Sequence, residues 1–247
     1  MKHKILLLIL LVTKACIINV FGEDFDEKKH PDVRELSPVQ VTDIPDGDIP
    51  LMEKVAKLAH DSSAWRSGEM EKYYDIIEND IYYYLYSPAD NWYCWRPDYS
   101  VCCNSCLKQN SNENFEGANA DDKNLKTAWI APFDKNGIKP KIEFSFSGKV
   151  PYITDVFIFN GHVRDKKSWE GYGRARKILV KYEDSPIAVL VLENSRAFQK
   201  FNLGKLGHYT TESHPDWTLS FEIIDIFDAQ EKATVALTEI FFEGQDW

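Results

Sequence analysis

The feature that most constrains the fold is the hydrophobic pattern of residues 142–182. Residues 142–146 alternate between apolar and polar side chains, and a period of two is typical of a half-buried β-strand. Residues 156–159 are apolar at every position, as in a central strand of a sandwich, and Asn160-Gly161 then turns the chain. Residues 174–182 alternate again. The pattern predicts two strands joined by a polar, aromatic loop, which favours a binding module over a catalytic core.

The rest of the C-terminal half continues the β pattern. Further strands are predicted at residues 188–192, 219–224 and 235–242, with Gly, Pro, Asn and Asp between them. No alternation of strands with helix-length segments occurs, so a parallel βαβ architecture is not indicated. We therefore predict a mainly β protein in which residues 114–247 form an antiparallel β-sandwich or jelly roll.

The composition limits the classes of partner. The chain has 247 residues and 44% hydrophobic content, which is enough for a sizeable core, and its formal net charge is −10. Recognition of nucleic acid or of anionic lipid needs a basic surface, so the charge argues against both.

The first 22 residues have the pattern of a secretory signal peptide. Lys2 and Lys4 precede an apolar run at residues 5–12 that is too short to span a bilayer. Cleavage before Glu23 is expected, lipidation at Cys16 is an alternative, and Lys14 argues against an uncleaved anchor. Each processing route exports the protein to the exterior, the cell surface or a periplasm, with no transmembrane span in the mature chain.

Two regions precede the sandwich. Residues 23–50 are acidic and lack a periodic apolar face, so we expect a disordered tether. Residues 51–113 are predicted to be a helical and Cys-rich region, with helical periodicity over 51–86. The Tyr residues at 82–84 and 86 indicate packing against the sandwich rather than a sugar platform. Trp92 and Trp95 could form a ligand shelf or shield disulfides.

Four cysteines remain after the signal, at Cys94, Cys102, Cys103 and Cys106. An even number of closely spaced cysteines in an exported protein predicts two disulfides that staple this region. A bond between the neighbours Cys102 and Cys103 would be strained, so Cys94 is expected to pair with one of them and Cys106 with the other. A zinc site is the alternative, but the spacing does not form two CxxC knuckles.

Several short motifs together resemble a known family. The sandwich begins with an Asn-x-x-Asp, a polar turn and Thr-Ala-Trp at residues 119–129, as galactose-binding-like, discoidin-type domains do. The other matching segments are Gly137-Ile138, Asn160-Gly161-His162, Tyr172-x-Arg174-x-Arg176 and Thr238-Glu239-Ile240. Over about residues 106–243 the chain resembles the glycan-binding domain named after streptococcal NAD glycohydrolase. His162, Gly173 and Arg176 replace the family's Tyr, Asn and Lys.

The resemblance implies a non-catalytic carbohydrate-binding module. The predicted glycan-binding residues combine rings with planar hydrogen-bonding groups and lie in one loop: Asn160, His162, Arg164, Trp169, Tyr172 and Arg174. No catalytic motif and no metal-ligand spacing stands out, so no cofactor is expected and a hydrolase is disfavoured. Asp122 is expected to form a turn, with Ca²⁺ binding as the alternative. The second functional hypothesis is adhesion to a cell-surface protein through the helical and Cys-rich region.

Overall fold

The computed structural model describes residues 33–44, 47–86, 98–108, 114–208, 214–227 and 234–244. The N-terminal part contains β1 (Arg34–Leu36), β2 (Gln40–Asp43), α1 (Asp48–Ala59), α2 (Ser62–Arg66), a 3-10 helix (Glu69–Tyr73), α3 (Tyr74–Ile77) and α4 (Asp80–Tyr86). The remaining elements are β3 (Tyr99–Cys103), a 3-10 helix (Gly117–Ala120), β4 (Trp129–Pro132), β5 (Lys141–Phe146), β6 (Ile153–Asn160), α5 (Lys166–Gly171), β7 (Arg174–Tyr182), β8 (Ser185–Val191), β9 (Ala197–Leu206), β10 (Trp217–Phe227) and β11 (Thr234–Gly244).

The described strands form two layers that face each other. One layer has the order β2-β9-β6-β11, with β4 also on β11, and the other has the order β3-β5-β10-β7-β8-β1. Pairing is antiparallel except between β1 and β8 and at the single pair Ala236–Arg174, which joins the layers. The protein is mainly β, as predicted, and all six strands predicted from the hydrophobic pattern form.

The main core lies between the two layers. It includes Val156 and Ile158 from β6, Phe144 from β5, and Leu219 and Phe221 from β10, all fully buried. These residues occupy alternate positions on their strands, so the period of two in the sequence places one face of each strand in this core.

The helices form a third layer on the outer face of β6, β9 and β11. Phe157 and Phe159, which alternate with the core residues of β6, pack with Val55 and Ile81 in a second hydrophobic cluster. The ring of Tyr84 lies 4.5 Å from that of Phe157, centroid to centroid. Residues 156–159 are therefore apolar at every position because both faces of β6 are covered, and the predicted packing of the Tyr-rich segment on the sandwich is confirmed.

Part of the segment expected to be a disordered tether is ordered. β1 pairs with β8, and β2 pairs with β9, so residues 34–43 extend both layers of the sandwich. These strands are three and four residues long, too short to show a period, and backbone hydrogen bonds hold them. Residues 23–32 and the predicted signal at 1–22 lie outside the described residues, and the domain boundary at residue 114 stays a prediction.

The described part of the chain contains no helix with both the length and the apolar character that crossing a bilayer would require.

Candidate functional site

The loop between β6 and β7 is fixed to the sheet by its first residue. Asn160 is fully buried, its Nδ2 donates to the carbonyl of Ala175 at 2.8 Å, and its Oδ1 accepts from the Ala175 amide at 2.9 Å. This pair of bonds imitates a strand pairing at the base of the loop. Asn160 thus closes the loop and does not reach its surface.

Trp169 and Arg174 form a second attachment. The Arg174 guanidinium lies 4.4 Å from the centroid of the Trp169 ring, and the Trp169 Nε1 donates to the carbonyl of Asn160 at 3.2 Å. Arg174 Nε donates to Asn194 Oδ1 at 2.8 Å, and burial lowers the pKa of this guanidinium. Trp169 is half-buried and packs against the helical layer, so its ring is not presented freely to solvent.

Gly161 makes this packing possible. Its φ is +83°, and a Cβ there would lie 2.8 Å from Arg174 Cγ and 2.9 Å from Trp169 Cδ1. Only glycine accepts both the left-handed backbone and the close approach of two large side chains.

The loop contains a short helix that the sequence pattern did not predict. Asp165 caps α5, since its Oδ1 accepts from the Ser168 amide at 2.8 Å. Its Oδ2 accepts from Arg164 Nε at 3.1 Å. Burial alone would raise the pKa of Asp165, but these hydrogen bonds together hold it below its usual value. The cap fixes the backbone next to Arg164.

An open cavity of about 210 Å³ lies beside this loop. Its lining comes from two separate segments, and the residues are Asn114, Phe115, Asn119, Lys126, Thr127, Ala128, His162 and Arg164. The two segments meet because of β11, in which Leu237 pairs with Trp129 and Glu239 pairs with Phe159. The start of β4 and the end of β6 are therefore neighbours along β11. The segment that precedes β4 and the loop that follows β6 line the cavity.

The cavity contains two of the six predicted loop residues, His162 and Arg164. Tyr172 lies behind them, with its ring 5.9 Å from His162 and 6.3 Å from Phe115. Asn160, Trp169 and Arg174 are not among its lining residues, because they attach the loop to the sheet. The other six lining residues were not predicted as site residues, although the motif at 119–129 contains four of them.

The turn at residues 121–127 holds that side of the cavity in place. Asp122 Oδ1 accepts from the Asn124 amide at 3.0 Å, and Thr127 Oγ1 donates to the Asp122 carboxylate. The expected turn role of Asp122 is therefore seen directly. Within the described residues no group of three or more His, Cys, Asp or Glu is placed to hold a metal ion.

Two carboxyl groups at this turn, the buried Glu239 and the partly buried Asp121, have raised pKa values. Glu239 lies in the middle of β11, fully buried, and its Oε1 accepts from the Asn124 amide at 2.7 Å. Burial, and then the neighbouring Asp122 side chain, raises the pKa of Glu239 well above its usual value. Burial also raises the pKa of Asp121 to about 7, although Tyr99 donates a hydrogen bond to it at 2.9 Å.

The cysteines differ from the predicted arrangement. Cys102 is disulfide-bonded, whereas Cys103 and Cys106 are free thiols. The two predicted disulfides are thus not both present. Cys103 and Cys106 lie close enough to interact, and Cys103 packs on Gly117, where a Cβ would lie 3.2 Å from its Sγ. Cys94, Trp92 and Trp95 lie outside the described residues.

Comparison with known proteins identifies the family. Residues 92–243, more than half of the chain, match the NAD glycohydrolase translocation F5/8 type C domain family. The chain belongs to this family. The resemblance read from the short motifs is thereby confirmed, and the family match begins at residue 92, before the stretch from about residue 106 that the motifs cover. No curated protein matches the sequence.

Solved structures with a similar fold include several F5/8 type C and CBM32 domains. The CBM32-1 and CBM32-2 domains of Clostridium perfringens ZmpB are 18% identical, with a TM-score of 0.46, over 70% of this chain and 41% of that one. A CBM32-5 domain from Clostridium perfringens, in complex with GalNAc-β-1,3-galactose, is 11% identical, with a TM-score of 0.42. The match covers 59% of this chain and 95% of that one. An F5/8 type C domain from Bacteroides fragilis is 14% identical, with a TM-score of 0.41. The match covers 60% of this chain and 93% of that one.

Proposed function

We propose that this F5/8 type C protein is an exported, non-catalytic glycan-binding protein and that its ligand occupies the cavity beside the β6–β7 loop. The observation that carries the proposal is the lining. Around one open space it places an aromatic ring, two amide side chains, a hydroxyl, an imidazole, a guanidinium and an ammonium group.

This mixture suits a sugar, which presents apolar C–H faces and many hydroxyl groups. A ring such as Phe115 can contact an apolar face, while planar groups such as Arg164 and Asn119 can bond neighbouring hydroxyls. Asn119 is held rigidly, since its Nδ2 donates to the carbonyls of Asn114 and Ala128. Fixed polar groups reduce the entropy lost on binding.

The lining also supports binding rather than hydrolysis. Most glycoside hydrolases need two carboxyl groups that flank the scissile bond. The described lining contributes no Asp or Glu, and the nearby Asp122 and Glu239 bond the turn at 121–127 instead.

Export rests on the N-terminal sequence and on cysteine chemistry. The charged and apolar segments at residues 1–12 have the order of a signal peptide. Cys102 is disulfide-bonded, and structural disulfides persist in oxidising compartments. An extracellular or cell-surface location follows from this reasoning, and N-terminal sequencing that begins at Glu23 would support it over lipidation at Cys16.

A glycan array with the mature protein tests the proposal, and Arg164→Ala locates the site. We expect specific binding by the wild type and its loss in Arg164→Ala, with an unchanged melting temperature. Arg176→Ala is the matched control, because Arg176 is also a half-exposed arginine paired with an aspartate, Asp225, but lies outside the cavity. Equal binding by wild type and Arg164→Ala would place the ligand elsewhere, with Trp92 and Trp95 the next candidates.

Adhesion to a cell-surface protein through the helical and Cys-rich region is the second hypothesis. Among the described residues of this region, two large apolar side chains are exposed, Trp65 at 45% and Tyr74 at 48%. Most of the others pack on the sheet, which leaves less apolar surface for a partner. A pull-down with Trp65→Ser beside wild type separates the two: loss of a captured protein without loss of glycan binding would favour adhesion.

A further inference from the structure

The charged groups that line the cavity are all basic. Lys126 and Arg164 carry positive charge there, and none of the described lining residues is Asp or Glu. The whole chain is acidic, with 39 Asp and Glu against 29 Lys and Arg. A cavity lined only by basic charged groups on an acidic protein calls for a functional explanation, because the composition alone would favour the opposite sign.

The two cations are held by carboxylates that stand outside the lining. Arg164 Nε donates to Asp165 Oδ2 at 3.1 Å, and its Nη2 donates to Ser168 Oγ at 2.9 Å. Lys126 Nζ lies 2.5 Å from Glu53 Oε2 of helix α1. Lys126 and Arg164 line the cavity, whereas their partners Glu53 and Asp165 are not among its lining residues.

We infer that the cavity takes an anionic glycan, one whose sugar carries a carboxylate or a sulfate group. The inference rests on the proposed function and adds to it the class of ligand. Charge-assisted hydrogen bonds are about twice as strong as neutral ones, and the planar guanidinium matches a carboxylate in a bidentate arrangement. Phe115 and the amides then contact the uncharged part of the sugar, which a free inorganic anion lacks.

The attraction is moderate and depends on salt. The side chains of Arg164 and Lys126 are 38% and 47% exposed, and each already has a partner. Exposed charges attract weakly and are screened within about 10 Å at 0.1 M salt. The ligand therefore gains from two nearby cations together, and its preference should weaken as salt rises.

A matched set of oligosaccharides tests the inference by titration calorimetry. One member is neutral, one carries a terminal carboxylate sugar and one carries a sulfate on the same backbone. We expect the anionic members to bind roughly tenfold more tightly than the neutral one, the size of effect that two weak ion pairs supply. Raising the salt concentration should narrow this gap. The carboxylate and sulfate arms show which anion the guanidinium prefers.

Four substitutions connect the preference to the cavity. Lys126→Gln and Arg164→Gln should each remove most of the preference, and Glu53→Gln should increase it, because it frees Lys126 from its partner. Lys72→Gln is the control: Lys72 is 58% exposed and paired with Glu69, and it lies on the 3-10 helix outside the cavity. It changes the net charge equally and should leave the preference intact.

The outcomes separate the inference from the proposed function. If the neutral and anionic members bind equally, or if Lys72→Gln has the same effect as Lys126→Gln, the anionic preference is refuted while glycan binding stands. If no member binds, and the array is also blank, the proposed function fails and the inference fails with it.

Discussion

Trp129 shows what a single residue contributes to this fold. It is fully buried at the start of β4, and its Nε1 donates to the carbonyl of Ser105 at 2.9 Å. The burial predicted from its place after Thr127-Ala128 is confirmed. We expect Trp129→Ala to lower the free energy of unfolding by about 3–5 kcal/mol, the range for truncating a buried aromatic side chain. Urea denaturation measures this change, and Trp129→Phe should lower the free energy of unfolding by less. A loss below about 1 kcal/mol for Trp129→Ala would contradict the burial of the ring.

The thiols of Cys103 and Cys106 should differ in reactivity. Cys106 is exposed, whereas Cys103 is half-buried and burial raises its pKa, so less of it is thiolate near neutral pH. We expect iodoacetamide to modify Cys106 first, Cys103 later and Cys102 only after reduction. Timed alkylation followed by peptide mass mapping measures the order. If neither Cys103 nor Cys106 were alkylated before reduction, the result would support the two predicted disulfides instead.

Asp121 should make stability depend on pH. Its folded pKa is about 7, mainly because the carboxyl is partly removed from water, above the unfolded value of about 3.9. The native state therefore holds the proton more tightly, and the stability contributed by this group is present below about pH 4 and is lost as pH rises toward 7. We expect Asp121→Asn to gain stability relative to wild type at pH 8 but not at pH 4.

Thermal melts between pH 4 and pH 8 measure this difference. Asn still offers an oxygen to the Tyr99 hydroxyl, which preserves the hydrogen bond. Asp134→Asn, which removes an exposed carboxylate far from Tyr99 in the sequence, is the control for the loss of one negative charge. A difference in melting temperature between Asp121→Asn and wild type that is the same at every pH would contradict the raised pKa.

At the scale of elements, the sequence predicted strands whose residues alternate or are apolar throughout, and it missed β9, whose apolar residues follow neither pattern. β5 shows the period of two because one face meets the core and the other is less buried, and β7 follows it less strictly because Leu179 is buried as well. β9 was missed because it lies between the core and the helices, so both faces near its start are covered. It even buries Gln199, whose amide is satisfied by the backbone of Glu193.

The candidate site was predicted only in part for a similar reason. His162 and Arg164 follow a recognisable strand, and the loop after a strand often carries function. Lys126 and Phe115 precede β4, more than 30 residues earlier in the chain, and only the shared pairing with β11 brings them to the cavity. No local pattern contains that long-range register.

The helical layer is expected to be required for the solubility of the sheet. It covers Phe157, Phe159, Phe198 and Phe241 on the outer face of β6, β9 and β11. A chain that begins at residue 87 would expose these rings, and large apolar patches drive association. We expect it to self-associate in size-exclusion chromatography and to bind a hydrophobic dye.

Two changes in the shortened chain act as the control. Replacing Phe157 and Phe198 by Thr keeps β propensity while it removes the two rings that stack at 4.8 Å on the exposed face. Association should then decrease. A monodisperse shortened chain that binds no dye would show that the helical layer is dispensable.

The whole molecule should unfold in one step, although the sequence suggested separate helical and sandwich domains. The second hydrophobic cluster contains residues of the helices and of β6, β9 and β11, so neither layer keeps its buried surface without the other. β1 and β2 also precede the helices in the chain and pair within the sandwich. We therefore expect the far-ultraviolet and near-ultraviolet circular dichroism signals to change together during urea denaturation.

Two variants on opposite sides of the sheet sharpen this expectation. Ile81 is fully buried in the helical cluster, and Ile81→Ala should cost about 2–5 kcal/mol. If the layers are one cooperative unit, Ile81→Ala and Trp129→Ala each move both signals by equal amounts. If Ile81→Ala instead moved the helical signal alone, the helices would be a separate domain docked on the sandwich. The contact between Lys126 and Glu53 would then join two independent parts.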